Sequence, residues 1–212
     1  MRTISLFLLF ASLPAVAARP GFVKLFNNRD LTGWEVIGDG SWKVLSDGTL
    51  VGQRDLKKSR DQSWLYTTRD FDEFDLEADY WIRLGGNSGI SIRDTSRAKF
   101  AVPPNWDHDK TPSHIGYEIQ LQDQAGDPFP TGSVYLFDHA RTGAEKDNDW
   151  NHIEIQSRHS GIKVFVNGQL VSQSPGDPAR SLTGPIGLQL HDPTTLVMFK
   201  SIRIHEIASP KK

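Results

Sequence analysis

The chain has 212 residues, 24 Lys and Arg against 26 Asp and Glu, a formal net charge of -2 and no cysteine. With 37 % hydrophobic and 24 % charged residues its composition is ordinary for a globular protein, which excludes disordered, collagen-like and coiled-coil chains. The charge balance offers no bulk attraction for nucleic acid or an anionic membrane. The lack of cysteine excludes disulfides, thiol catalysis, thiolate zinc sites and a lipid anchor on Cys.

Residues 1–18 read as an export signal. Met1-Arg2 is a short basic start, and Ile4 to Leu13 is an apolar run of h-region length, too short to span a bilayer. Ala15-Val16-Ala17 is a small-x-small cleavage site, and Val16-Ala17-Ala18 would serve equally. The expectation is a signal peptide over 1–18, one domain over 19–212, and an exported bacterial protein, periplasmic or secreted. No second apolar stretch approaches membrane length.

The remainder reads as short strands and turns. Phe22–Phe26, Trp42–Leu45 and Trp64–Thr67 come first, separated by clusters such as Gly38-Asp39-Gly40 and Ser46-Asp47-Gly48. Lys57-Lys58-Ser59-Arg60 is a basic patch without an aromatic stripe, so it reads as a solvated loop rather than a nucleic-acid site. Phe74, Leu76, Ala78, Tyr80 and Ile82 then alternate with acidic or polar residues, the pattern of a strand with one buried face. Ser88–Arg93, Ile115–Gln122, Val134–Phe137 and Asn151–Gln156 follow. Ile162, Val164 and Val166 lead into Asn167-Gly168, which forms a type I′ hairpin because both positions tolerate positive φ. Ile186–Leu190 and Val197–Ile207 complete the set. Many short strands at this spacing predict an all-β, two-sheet antiparallel sandwich. Two connections are long, Asp94 to His114 and Asp138 to Asp149, and their aromatic and His content marks them as functional.

Three strands carry a polar face. Alternation sets Gly89, Ser91 and Arg93 against Ile90 and Ile92. It sets Glu118, Gln120 and Gln122 against Tyr117, Ile119 and Leu121, and Gln189 and His191 against Leu188 and Leu190. If these faces share one side, they line a cleft of amides and charges that suits sugar hydroxyls, with loop Trp and Tyr as walls for sugar C–H faces. The bland reading of each face is a solvated outer sheet.

The ordered motifs Asn87-Ser88-Gly89-Ile90-x-x-Arg93, Gly116-Tyr117-Glu118-Ile119-Gln120, Asp149-Trp150-Asn151, Val166-Asn167-Gly168, Gly187-Leu188-Gln189-Leu190-His191 and Phe199-Lys200-Ser201-Ile202-Arg203-Ile204 carry a resemblance. So do Phe22-x-x-Leu25-Phe26-Asn27 and Asp30-Leu31-x-Gly33-Trp34 near the start. From about Phe22 to Ile207 the chain resembles the 3-keto-disaccharide hydrolase family (DUF1080). Asp149 stands where the family usually has Glu, and Lys200-Ser201 where it tends to have Arg-Asn. The resemblance implies a concanavalin A-like jelly roll, export, and cleavage of 3-keto-glycosides made by a separate oxidoreductase.

A C3 ketone acidifies the proton on C2, so that chemistry needs a base, a cation or donor for the enolate, and an acid for the leaving group. For the chemistry that the resemblance implies, Glu118 or His191 is the expected base and Arg93, or a bound metal, the expected enolate partner, although Glu118 pairing with Arg93 across the sheet is an equally plain role. Gln120, Gln189, Asn87 and Ser91 would orient hydroxyls, with Tyr135 and Trp106 as aromatic walls. A divalent metal stays open as cofactor: Asp107, His108, Asp109, His114, Asp138 and His139 sit in or beside the long loops, without a diagnostic spacing. Two rival readings remain. One is a non-catalytic, lectin-like carbohydrate-binding domain. The other is a retaining β-glucanase using Glu73 and Glu77 of Glu73-Phe74-Asp75-Leu76-Glu77; their Cα atoms, about 13 Å apart along a strand, would need carboxyls leaning to ~5 Å.

Overall fold

A computed structural model describes residues 19–54, 62–122 and 126–208. The expected export signal over 1–18 and the basic patch at 57–60 lie outside the described residues. Two antiparallel sheets face each other. The larger contains β1 (Val23–Lys24), β3 (Ser41–Val44), β4 (Leu50–Gln53), β6 (Phe74–Ile82), β9 (Asn151–Arg158), β10 (Gly161–Val166), β11 (Gln169–Ser174) and β13 (Leu196–Glu206). Its order is β11-β10-β9-β6-β13-β4-β3, with β1 also on β13. The smaller contains β2 (Trp34–Ile37), β5 (Ser63–Thr67), β7 (Asn87–Ile92), β8 (Tyr117–Gln122) and β12 (Ile186–Leu190), in the order β2-β5-β12-β7-β8. This is the β-sandwich that the strand spacing predicts.

The core is the set of alternating positions that the two sheets turn toward each other. On β6, Phe74, Leu76, Ala78, Tyr80 and Ile82 are buried while Asp75, Asp79 and Trp81 are partly exposed. Ile90, Ile92, Ile119 and Leu188 of the smaller sheet and Ile153, Val164 and Phe199 of the larger belong to the same apolar cluster. Burying each such large side chain stabilises by about 1.5–3 kcal/mol. The Asn167-Gly168 hairpin joins β10 to β11 with φ of 48° and 80°, as the dipeptide predicts.

Some elements differ from the sequence reading. β2 and β4 are strands that it leaves unassigned. Gly52 of β4 is there for its partner: a Cβ would sit 2.5 Å from the Trp42 ring that crosses it. Val134–Phe137 is not a strand. Val134 makes single bridges to Ile119 and Asp138, and Leu136 turns back with φ of 70°. Ile115 ends a short helix, α1 (Pro112–Ile115), rather than starting β8.

The connection from Arg93 to Gly116 is an ordered cover over the outer face of the smaller sheet. Asp94, fully buried, holds it: its carboxylate accepts from Tyr66 Oη at 2.8 Å, Ser96 Oγ at 2.7 Å and Ala98 N at 2.7 Å. Ala98 and Ala101 then pack on Trp64 and Tyr66 of β5 as a second, smaller apolar cluster. The rest of that outer face is left open to a cavity. No helix among the described residues is long and apolar enough to cross a membrane.

Candidate functional site

The cavity, about 390 Å³, lies on the outer face of the smaller sheet. Its floor comes from β7, β8 and the end of β12, where Glu118, Gln120, Gln122 and Gln189 are all buried. These polar faces are therefore not solvated surface; the cover and the 127–135 loop bury them. Register explains the convergence. Glu118 pairs with Ser91 and Gln120 with Gly89, so the absent side chain at Gly89 leaves a gap. Glu118 lies across that gap, and a Cβ on Gly89 would come within 2.6 Å of its Oε1.

Among the described residues Glu118 has no arginine partner in this position. Gln189 hydrogen-bonds it and His191 stands close enough to act on its charge, yet burial dominates and raises its pKa from 4.5 to about 7. Gln189 keeps a second atom in play, for its Oε1 is buried with no partner among the described residues. His191 Nδ1 lies 2.9 Å from Asp192 Oδ1, which leaves Nε2 as the free ring nitrogen. Burial opposes the charge on His191, but the hydrogen bond and charge of Asp192 and the charge of Glu118 outweigh it, so its pKa lies above the ordinary value. The Tyr135 phenol is held neutral by burial and by the negative charges of Glu118 and Asp127.

A chain of amides sets the neighbouring floor. Gln120 Nε2 donates to Asn87 Oδ1 at 3.3 Å and to Gln122 Oε1, and Gln122 Nε2 donates to Asp127 Oδ2 at 2.7 Å. Phe129 packs against Tyr135 at 4.8 Å and stacks on His139 at 4.3 Å between ring centroids. The half-exposed Trp106 lines the same cavity as His108, Thr111, Ser113 and His114. Burial and the charges of His108 and Arg180 keep the His114 pKa below its ordinary value.

Of the residues expected in the site, Glu118, His191, Gln120, Gln189, Asn87, Tyr135 and Trp106 all line this cavity. Arg93 does not. Its φ of 60° ends β7 and breaks the two-residue alternation, and its Nη2 donates to Arg158 O at 3.0 Å, on the other sheet. It ties the two sheets together and makes no pair with Glu118. Ser91 sits opposite Glu118 and Gly187 in register but is fully buried and off the cavity wall. Gln62, Thr111, Ser113, Gln122 and Asp127 are cavity residues that the sequence reading did not select. Only Gln122 carried a signal, as the third polar residue of the β8 alternation.

The carboxylates proposed for a retaining glucanase are elsewhere. Glu77 is buried on the outer side of the larger sheet between Arg19 at 2.6 Å and Arg203 at 2.8 Å, and Glu73 Oε1 accepts from His159 N at 2.7 Å. Both are structural, and no retaining pair forms.

Sequence comparison decides the family. Residues 21–205 match the family described as the 3-keto-alpha-glucoside-1,2-lyase-like domain. The chain belongs to it. Membership makes the chain a glycoside-directed protein, hydrolase-like or carbohydrate-binding. No curated protein sequence matches the chain detectably. Among solved structures, a glycosyl-hydrolase candidate from Parabacteroides distasonis is 21% identical with TM-score 0.69, covering 89% of this chain and 95% of that one. The carbohydrate-binding module CBM66 from Bacillus subtilis is 18% identical with TM-score 0.56, covering 82% and 96%. A Bacillus subtilis protein of unknown function with a galectin-like fold is 12% identical with TM-score 0.60, covering 87% and 94%. At these identities the likeness is one of fold.

Proposed function

We propose that the mature chain is an exported enzyme that cleaves 3-keto-glycosides by elimination and hydration, with Glu118 as the base. The observation that carries this reading is a carboxylate buried in a cavity with no arginine among the described lining residues, its pKa pushed up to about 7 by burial. A base with that pKa is half ionised at neutral pH and strong enough to remove a proton that a ketone has acidified. Family membership supports the substrate class, and the basic start and apolar run of residues 1–18 support export.

In this reading Glu118 takes the proton from C2, and the electron pair moves onto the C3 oxygen as an enolate. The enolate collapses, C1=C2 forms, and the bond from C1 to the glycosidic oxygen breaks. The departing oxygen takes a proton from His191, whose raised pKa suits an acid, or from the Tyr135 phenol. Water then adds to the enone, hydroxyl at C1 and proton at C2, so the net change is the addition of one water. Gln189, Gln120 and Asn87 orient the ring hydroxyls, and Trp106 offers an aromatic face at the mouth.

The same Trp106 platform would serve a domain that only binds sugar, and this is the second reading. Residues 19–212 incubated with a 3-keto-disaccharide, and separately with its unoxidised parent, distinguish the two. Release of monosaccharide from the keto form alone is the expected result. Binding of either sugar without turnover would replace the enzyme by the binding domain.

A further inference from the structure

We propose that His108, Asp109 and His114 bind a divalent transition-metal ion at the edge of the Glu118 cavity, whose lining includes both histidines. The proposal rests on the reading of that cavity as a 3-keto-glycoside site, and it names the partner of the ketone. One imidazole nitrogen from each His and one carboxylate oxygen of Asp109 all lie within 4.8 Å of one another. The two rings stand 5.3 Å apart between centroids. Small side-chain rotations bring three such atoms to the ~2.0–2.2 Å bond lengths of a zinc-like ion. Two imidazoles and one carboxylate suit zinc, manganese, cobalt or iron, and three protein ligands leave positions open to a substrate.

The segment that carries these groups is braced. Lys110 N donates to Asp107 O at 3.1 Å and His114 N to Thr111 O at 2.9 Å. Arg180 Nη1 donates to Ser113 O at 2.7 Å and to Gly116 O. Thr111 Oγ1, buried, lies 2.8 Å from His114 Nδ1 and so fixes which nitrogen is left for a ligand. The other loop residues considered for a metal are committed elsewhere. Asp107 pairs with Lys110 at 2.7 Å, Asp138 Oδ2 accepts from Gln173 N at 2.8 Å, and His139 stacks on Phe129.

Two features of the cavity itself point to such a ligand. Among the described residues that line it, histidine is the only cationic side chain, and a bound ion would add the positive charge that an enolate needs. The buried, unpartnered Oε1 of Gln189 is an acceptor set to receive a hydroxyl or a metal-bound water. A 3-keto sugar presents a ketone beside a hydroxyl, a pair of oxygens that such an ion chelates, and the ion would supply Lewis acidity at the C3 oxygen.

The test is isothermal titration of chelator-stripped residues 19–212 with Zn2+, Mn2+ and Co2+, without any sugar. One equivalent of at least one metal is expected to bind. His108→Ala, at an exposed position where the fold is not at stake, and His114→Ala should each remove that stoichiometric binding. Thr111→Val should weaken it by about 10- to 100-fold. In the Co2+ form, the visible absorption of an imidazole-ligated ion should be lost in both His variants. Absence of stoichiometric binding by all three metals, or binding unchanged in the His108→Ala/His114→Ala pair, overturns the site. Cleavage of the keto sugar at full rate after chelation overturns its role and leaves the functional reading intact. Metal binding that obeys the variants with no cleavage of the keto sugar overturns the functional reading and leaves the site.

Discussion

Both sheets turn a polar outer face away from the core; β6 of the larger carries carboxylates at alternate positions, whereas β8 of the smaller carries one, Glu118, followed by Gln120 and Gln122. On the larger sheet every strand carboxylate of β6 meets a base: Asp75 meets Arg158 at 2.5 Å, Glu77 meets Arg19 and Arg203, and Asp79 meets His152 at 2.7 Å. On the smaller sheet Glu118 lies beneath a cover, with an amide and a histidine for company. Alternation alone makes the two faces look alike. Cover and counter-charge separate them: the first face spends its charge on holding strands together, whereas the second stores a carboxylate in a state water would not allow.

The strongest way to break this comparison is Glu118→Gln. We expect turnover of a 3-keto-disaccharide to fall by about 10²–10⁴-fold, while thermal unfolding shows a more stable protein at pH 8. The sign follows from the raised pKa. A group raised from 4.5 to about 7 in the folded state contributes stability that is fully present below pH 4.5 and lost as pH rises through 7. The loss by pH 8 is roughly 3 kcal/mol, and the uncharged amide escapes it. Loss of activity without that gain would mean that Glu118 is not a strained base.

Gly89→Ala comes next. The added methyl meets the flexible end of Glu118, so the carboxylate should shift rather than the strand. Turnover should drop by about 10²-fold, the effect of a misplacement near 1 Å, with little change in Tm. On the other face Glu77→Gln should do the reverse. It should leave kcat unchanged and destabilise by roughly 2 kcal/mol, because Arg203 loses a buried partner while Arg19 is half-exposed and screened. Trp106→Ala should be the mildest, raising KM by about 3- to 10-fold through the loss of one aromatic contact.

Features decided within a few residues were legible in the sequence. The alternation of β6 and the Asn167-Gly168 hairpin depend only on local geometry, and both are as expected. The convergence of Glu118, Gln189 and His191 was legible because three polar strand faces are hard to satisfy separately. Arg93 was misplaced because a positive φ at a non-glycine residue leaves no mark in the sequence pattern. Asp94 went unnoticed because its work, holding the cover to Tyr66, depends on a partner 28 positions away. The pairing of His108 with His114 depends on a 3-10 turn over His108–Lys110 followed by α1, which no periodicity announces. β4 was obscured by Gly52, whose reason lies in the Trp42 ring across the sheet.

The most direct test is a titration of Glu118 itself, by carbon-13 NMR of the carboxyl carbon in glutamate-labelled protein, assigned against Glu118→Gln. The account predicts a midpoint near 7 for Glu118. A midpoint near 4.5 would contradict it, for Glu118 would then be an ordinary surface carboxylate and the two faces would differ only in shape.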